Sequence, residues 1–149
     1  MAKQLGYACI NMNLSKEGIS CNRSMIRRTF DAKGVDYASE LIIENIKNLL
    51  QIVQWNNENG IKVYRMSSDM MPWMSEYELS DLPDFQEICA LLKAVGKLAM
   101  DNNQRLSFHP GQFCVLASPN EDVVLNAMNE LNKSAQIMDL MGLPKSRMA

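Results

Sequence analysis

The sequence predicts an α/β fold with parallel strands, and three observations carry that prediction. Short apolar or β-branched runs alternate three times with long segments whose apolar residues recur at three- and four-residue spacing. Two of the joints, Asn59-Gly60 and Asn103-Gln104, are tight connections from helix to strand, which implies right-handed crossovers between parallel strands. The composition, 47% hydrophobic and 21% charged over 149 residues, suits one globular domain and excludes a disordered chain.

Gln4-Leu5-Gly6-Tyr7-Ala8-Cys9-Ile10 is short and apolar, as a buried first strand would be. A long polar connection containing Gly18, Asn22 and Gly34 follows. The first helix is expected over 37–59, with Leu41, Ile42, Ile46, Leu49, Leu50, Val53 and Trp55 on its apolar side. Gly60 ends it, glycine being favoured at a left-handed C-terminal position. The second strand, 61–68, is rich in β-branched and aromatic residues and leads into a loop around Met71-Pro72-Trp73. Asp84 is a natural N-cap for a helix over 85–102 that buries Ile88, Leu91, Leu92, Val95, Leu98 and Ala99. A third strand, 105–109, and a polar turn precede a helix over 121–141. Its apolar face is Val124, Leu125, Met128, Leu131, Ala135, Met138 and Leu140.

The net charge of −2 and pI of 5.4 give no global attraction to nucleic acid, so any phosphate contact must come from a local cluster. No run approaches the ~20 apolar residues of a membrane helix, and residues 1–10 lack the apolar stretch of a signal peptide. The expectation is an intracellular, cytoplasmic protein with no membrane partner. Cys9, Cys21, Cys89 and Cys114 form no C-x-x-C pair and read as free thiols. The twelve methionines read as flexible core filling.

In β-α architectures functional groups gather beyond the carboxyl ends of the strands. Here those ends are Cys9-Ile10-Asn11-Met12-Asn13, Arg65-Met66-Ser67-Ser68-Asp69 and His109-Pro110-Gly111-Gln112-Phe113, all facing one pole. His109, the only histidine, suits a metal ligand or general base, or a hydrogen-bonded ring with no chemical role. Asp69 can join a metal site while Arg65 meets phosphate; equally, the two can pair with each other. Arg23, Arg27 and Arg28 make the densest basic stretch, a phosphate track or a solvated face. Gln112-Phe113 has the chemistry to wedge into or stack on bases, although an aromatic after a turn is often core.

Leu5-Gly6-Tyr7-Ala8-Cys9, Asn22-Arg23-Ser24, Tyr64-Arg65-Met66-Ser67-Ser68-Asp69-Met70-Met71-Pro72 and Ser107-Phe108-His109-Pro110-Gly111-Gln112-Phe113 together resemble the UV damage endonucleases. The resemblance implies a TIM barrel that cuts DNA 5′ to pyrimidine dimers and other lesions. It implies a cluster of divalent metals, manganese first with magnesium or zinc as alternatives, and damaged double-stranded DNA as partner. By that resemblance His109 matches a metal-ligating histidine and Gln112-Phe113 the pair that probes the lesion, while Tyr7 and Asn11 match first-loop residues that touch distorted DNA. Phe113 stands where many members have tyrosine, and Asp69 where some have a histidine ligand; aspartate is a hard oxygen ligand suited to manganese or magnesium.

Three units cannot close a barrel, which needs eight and typically about 250 residues. The chain is therefore either a small open α/β sheet or the first part of something larger, and the resemblance implies the second: residues 1–149 as the amino-terminal portion of a single (β/α)8 domain whose carboxyl-terminal half, with most metal ligands, is absent. The isolated chain should lack the full metal cluster, expose apolar surface and self-associate. The competing readings are a half-enzyme completed by a complementary chain, a non-catalytic remnant, and a different metal-dependent barrel enzyme such as a sugar isomerase.

Overall fold

The structure is a computed structural model that describes residues 3–144, so the chain end at 145–149 lies outside the described residues. The elements are β1 (Gly6–Ala8), α1 (Arg27–Glu58), β2 (Val63–Ser67), α2 (Phe85–Asp101), β3 (Arg105–His109) and α3 (Glu121–Leu140). Short 3-10 turns occupy Leu14–Glu17, Ser68–Met70, Met74–Glu76 and Leu79–Asp81. The strands form one parallel sheet in the order β1-β2-β3, as the alternating pattern predicts. Tyr7, Tyr64 and Leu106 share a row, Ala8, Arg65 and Ser107 the next, and Ser67 lies opposite His109.

The two-residue pleat sorts the sheet into unlike faces. Tyr64, Met66 and Leu106 are fully buried beneath the helices, where Ile42, Ile46, Leu49, Ile52 and Val53 of α1 and Ile88, Leu92, Val95 and Ala99 of α2 complete the core. Each such large side chain contributes roughly 1.5–3 kcal/mol on burial. The other face carries Gly6, Ala8, Val63, Arg65, Ser67, Arg105, Ser107 and His109; of these Gly6, Ala8, Arg65, Arg105 and His109 are exposed and Ser67 is buried.

Four expectations change. β1 spans three residues rather than seven and is not buried: Leu5 is 67% and Ile10 46% exposed. It has one neighbour in the sheet, and Cys9, at φ 60°, turns the chain out of line. α1 begins ten residues early because a polar segment before Gly34 is also helical, and Gly34 (φ 63°, ψ −154°) kinks it in the left-handed region that glycine tolerates. Asp84 sits at the start of α2 without capping it; its carboxylate accepts from Ser39 Oγ of α1 at 2.8 Å instead. The expected apolar face of α3 is split: Ile137 and Met138 are buried with Ala127 and Lys133, whereas Leu125 (62%) and Met128 (50%) are exposed because no described element packs on them. Lys133 is held by an ion pair with Glu78.

α2 and the end of α3 meet at Gly96, where an added Cβ would lie 1.8 Å from the Met141 carbonyl oxygen. Alanine is the better helix former by about 1 kcal/mol, but overpacking costs roughly 1–3 kcal/mol or more, so packing wins. Gly96→Ala is expected to lower stability to urea by roughly 2 kcal/mol; an unchanged or raised midpoint would show that α3 docks elsewhere.

Candidate functional site

The three strand ends converge on one pole. His109 closes β3 opposite Ser67 with its ring exposed, and its Nδ1 lies 2.9 Å from the Pro110 carbonyl oxygen. A carbonyl oxygen only accepts, so Nδ1 is the donor in this hydrogen bond and Nε2 is the ring nitrogen left for a metal. This arrangement, one ring nitrogen fixed and the other bare, is how a metal-binding histidine is usually oriented. Asp69 is exposed two residues beyond β2; its N–H donates to Ser67 Oγ at 3.3 Å. The expected alternative of an Arg65–Asp69 ion pair does not appear among those of the described residues. The described residues contain no group of three or more His, Cys, Asp or Glu able to hold a metal by themselves.

Gln112 and Phe113 occupy the tip of a tight turn closed by Cys114 N–H donating to the Gly111 carbonyl at 3.0 Å. Both are exposed, Phe113 at 82%, so the aromatic does not belong to the core. The turn is tethered to α3: Gly111 N–H donates to Glu130 Oε1 at 3.1 Å. Phe113 and Asp69 flank one cleft of about 270 Å³, with Trp73 and Met25 in its wall.

Tyr7 and Asn11 are brought together. Tyr7 Oη donates to Asn56 Oδ1 at 2.6 Å and accepts from Asn11 Nδ2 at 2.8 Å. Asn11 is buried, and its Oδ1 accepts from the N–H groups of Asn13 and Leu14, both at 3.0 Å, shaping the Leu14–Glu17 turn. The pair thus sets the first loop from within. Arg23 pairs with Glu44 at 2.8 Å; Arg27 pairs with Asp31 at 2.8 Å and Glu76 at 3.1 Å while lying over the Phe30 and Trp73 rings; Arg28 is exposed.

A family model described as UV-endonuclease UvdE matches residues 3–149. The chain belongs to that family. It is 37% identical over 140 residues to a putative UV-damage endonuclease of Acanthamoeba polyphaga mimivirus, covering 93% of this chain and 42% of that one. It is also 37% identical over 142 residues to a UV-damage endonuclease of Schizosaccharomyces pombe, covering 94% and 23%. Among solved structures the crystal structure of SacUVDE superposes with a TM-score of 0.78 at 27% identity, covering 95% of this chain and 47% of that one. The UvdE-family chain therefore spans less than half the length of these relatives.

Sequence reasoning missed the residues that hold the UvdE-family loops in place. Asn45, fully buried on α1, accepts from Arg23 N–H at 2.9 Å and donates to the carbonyls of Arg23 at 2.8 Å and Met70 at 3.2 Å. One carboxamide thus ties the basic loop to the loop after β2. Trp73, at φ 57°, adds a bond from Nε1 to the Met25 carbonyl at 2.9 Å. The available signal was position: Asn45 and Asn56 sit on the stripe shared with Ile42, Ile46, Leu49, Ile52 and Val53, where a polar residue must find partners.

Burial also sets the acid chemistry here. It pushes the Tyr64 phenol well above its ordinary range, with the neighbouring Cys21 thiol adding to the effect, and it raises Tyr77. Burial raises Cys21 against the opposing effect of its hydrogen bond with Tyr64, and raises Tyr7 against that of its hydrogen bonds with Asn11 and Asn56. An acid whose pKa is raised by folding favours the neutral folded form. Its contribution is complete below the unfolded value and is lost as pH climbs past it, from about 8.5 for thiols and 10 for phenols. Thermal melts are expected to be level from pH 7 to about 8.5 and to fall steadily above that, with a shallower fall in Tyr64→Phe; an equal fall in the variant would remove Tyr64 from the account. Asn45→Ala is expected to cost roughly 2–4 kcal/mol in urea unfolding, since it strands buried backbone groups of two loops.

Proposed function

We propose that this chain is the amino-terminal portion, residues 1–149, of a UV damage endonuclease, forming the first three units of a (β/α)8 barrel. The reaction is metal-dependent hydrolysis of the DNA backbone 5′ to pyrimidine dimers and other lesions. One observation carries the reading. At the carboxyl end of β3, a histidine with its outer nitrogen free stands beside a tethered turn that projects an exposed aromatic residue.

His109 fits the metal as a single donor, with Asp69 a second candidate from the end of β2, and the described residues do not complete a site. The remaining ligands belong to a complementary carboxyl-terminal half. When bound, divalent ions, manganese first and magnesium or zinc as alternatives, supply activated water and offset charge on the phosphate. The chain's own part is to present and to grip. Pro110 fixes the His109 ring, Gln112 and Phe113 enter the duplex beside the lesion, and Tyr7 and Asn11 shape the first loop against the distorted strand. Arg28 is available to phosphate directly, and Arg23 and Arg27 by exchanging exposed ion pairs, which are individually weak.

The test is a nicking assay with manganese on a duplex carrying one defined pyrimidine dimer. This chain alone is expected to leave the duplex intact, and adding the carboxyl-terminal portion of the mimivirus relative to restore a 5′ nick that His109→Ala abolishes. A nick by the chain alone, lost in His109→Ala, would overturn the need for a second half. Intact duplex in every combination would overturn the catalytic role and leave a non-catalytic remnant.

A further inference from the structure

The turn that carries Gln112 and Phe113 is short and exposed at its tip, so the tip's own packing does not keep it in one place. Three contacts hold its base. Gly111 N–H donates to Glu130 Oε1 at 3.1 Å, Cys114 N–H donates back to Gly111, and Cys114 Sγ lies 3.7 Å from the Ala127 carbonyl oxygen. Only the first is a charge-assisted bond from outside the turn, the kind that contributes most to holding a geometry. A Cβ on Gly111 would stand at ordinary contact distance from Glu130 Oε1 (3.4 Å) and Ser68 Oγ (3.6 Å), so the turn lies between α3 and the end of β2. Glu130 and Phe113 also flank the same two clefts.

From this we infer that Glu130 is a positioning residue for lesion discrimination: its carboxylate clamps the Gly111 amide and fixes the direction in which Gln112 and Phe113 project. The inference rests on the proposed endonuclease reading, with Gln112 and Phe113 as the contact to damaged DNA. Its own content is that α3, through Glu130, sets how sharply the turn distinguishes damaged from intact duplex. A neighbouring bond on the same helix, Asn129 Nδ2 to the Ser75 carbonyl at 3.0 Å, serves a different loop and makes a control.

The experiment has two arms, one without DNA. In the first, amide hydrogen exchange at Gly111 is followed by NMR in the full chain. Glu130→Ala is expected to speed that exchange about tenfold or more while the thermal midpoint stays close to the original, as for loss of one bond to a charged acceptor. Glu130→Gln, whose amide oxygen still accepts, and Asn129→Ala are expected to leave it near the original rate. In the second arm, binding to a duplex with one pyrimidine dimer is compared with binding to the same duplex undamaged, using the chain combination of the nicking assay. Glu130→Ala is expected to bring the affinity ratio toward one, with Glu130→Gln retaining it. Unchanged exchange in Glu130→Ala overturns the clamp. Faster exchange with an undiminished ratio overturns the role in discrimination. Faster exchange in a chain that never prefers the lesion upholds the clamp and overturns the endonuclease reading.

Discussion

The structure depends on the parallel pairing of β2 with a strand on either side. Because both neighbours run the same way, Cys9, Ser67 and His109 arrive at one pole without any further folding instruction. Tyr64, on the central strand β2, extends the constraint beyond the sheet. Its hydroxyl donates to the Cys9 carbonyl at 2.8 Å and lies 3.3 Å from Cys21 Sγ, while its ring sits 5.0 Å from that of Tyr7. The end of β1, the first loop and the core beneath α1 thus share one side chain.

Around that frame, buried carboxamides join segments that no sheet ladder connects. Asn45 joins two loops, Asn56 anchors Tyr7, and Gln104 Nε2 donates to the Val53 carbonyl at 2.8 Å across the joint into β3. A polar group in such a place costs stability unless bonded, so each contact carries a penalty for leaving its position. The loops at the pole are therefore held from below, and their exposed tips remain available.

Periodicity made the helices and the parallel sheet legible, because apolar spacing reports the face a segment is built to bury. The same signal misled for β1 and for Leu125 and Met128 of α3. Those residues are patterned for a partner surface, and a pattern does not say whether that surface is present. The pole itself could be read from strand ends, which follow from topology. What could not be read were distant pairings: Glu44 and Glu76 neutralising Arg23 and Arg27, or Glu130 reaching Gly111 across nineteen positions. Local sequence holds no trace of such contacts, since they exist only once the loops have been placed. Polar residues on the apolar stripe of α1 were the one local clue.

The open face of the sheet has a consequence for how copies of this chain meet. Arg65 and Arg105 stand on it with His109, and neither arginine has an acidic partner at salt-bridge distance among the described residues. A twofold axis through that face would bring this basic cluster against its own copy, a repulsion strengthened as water is squeezed out. Stacking of two sheets is thereby discouraged even though neither is covered, and crowding of molecules is steered toward the leucine and methionine side of α3. An uncovered surface is not always an adhesive one, and here the basic side chains act as a bumper.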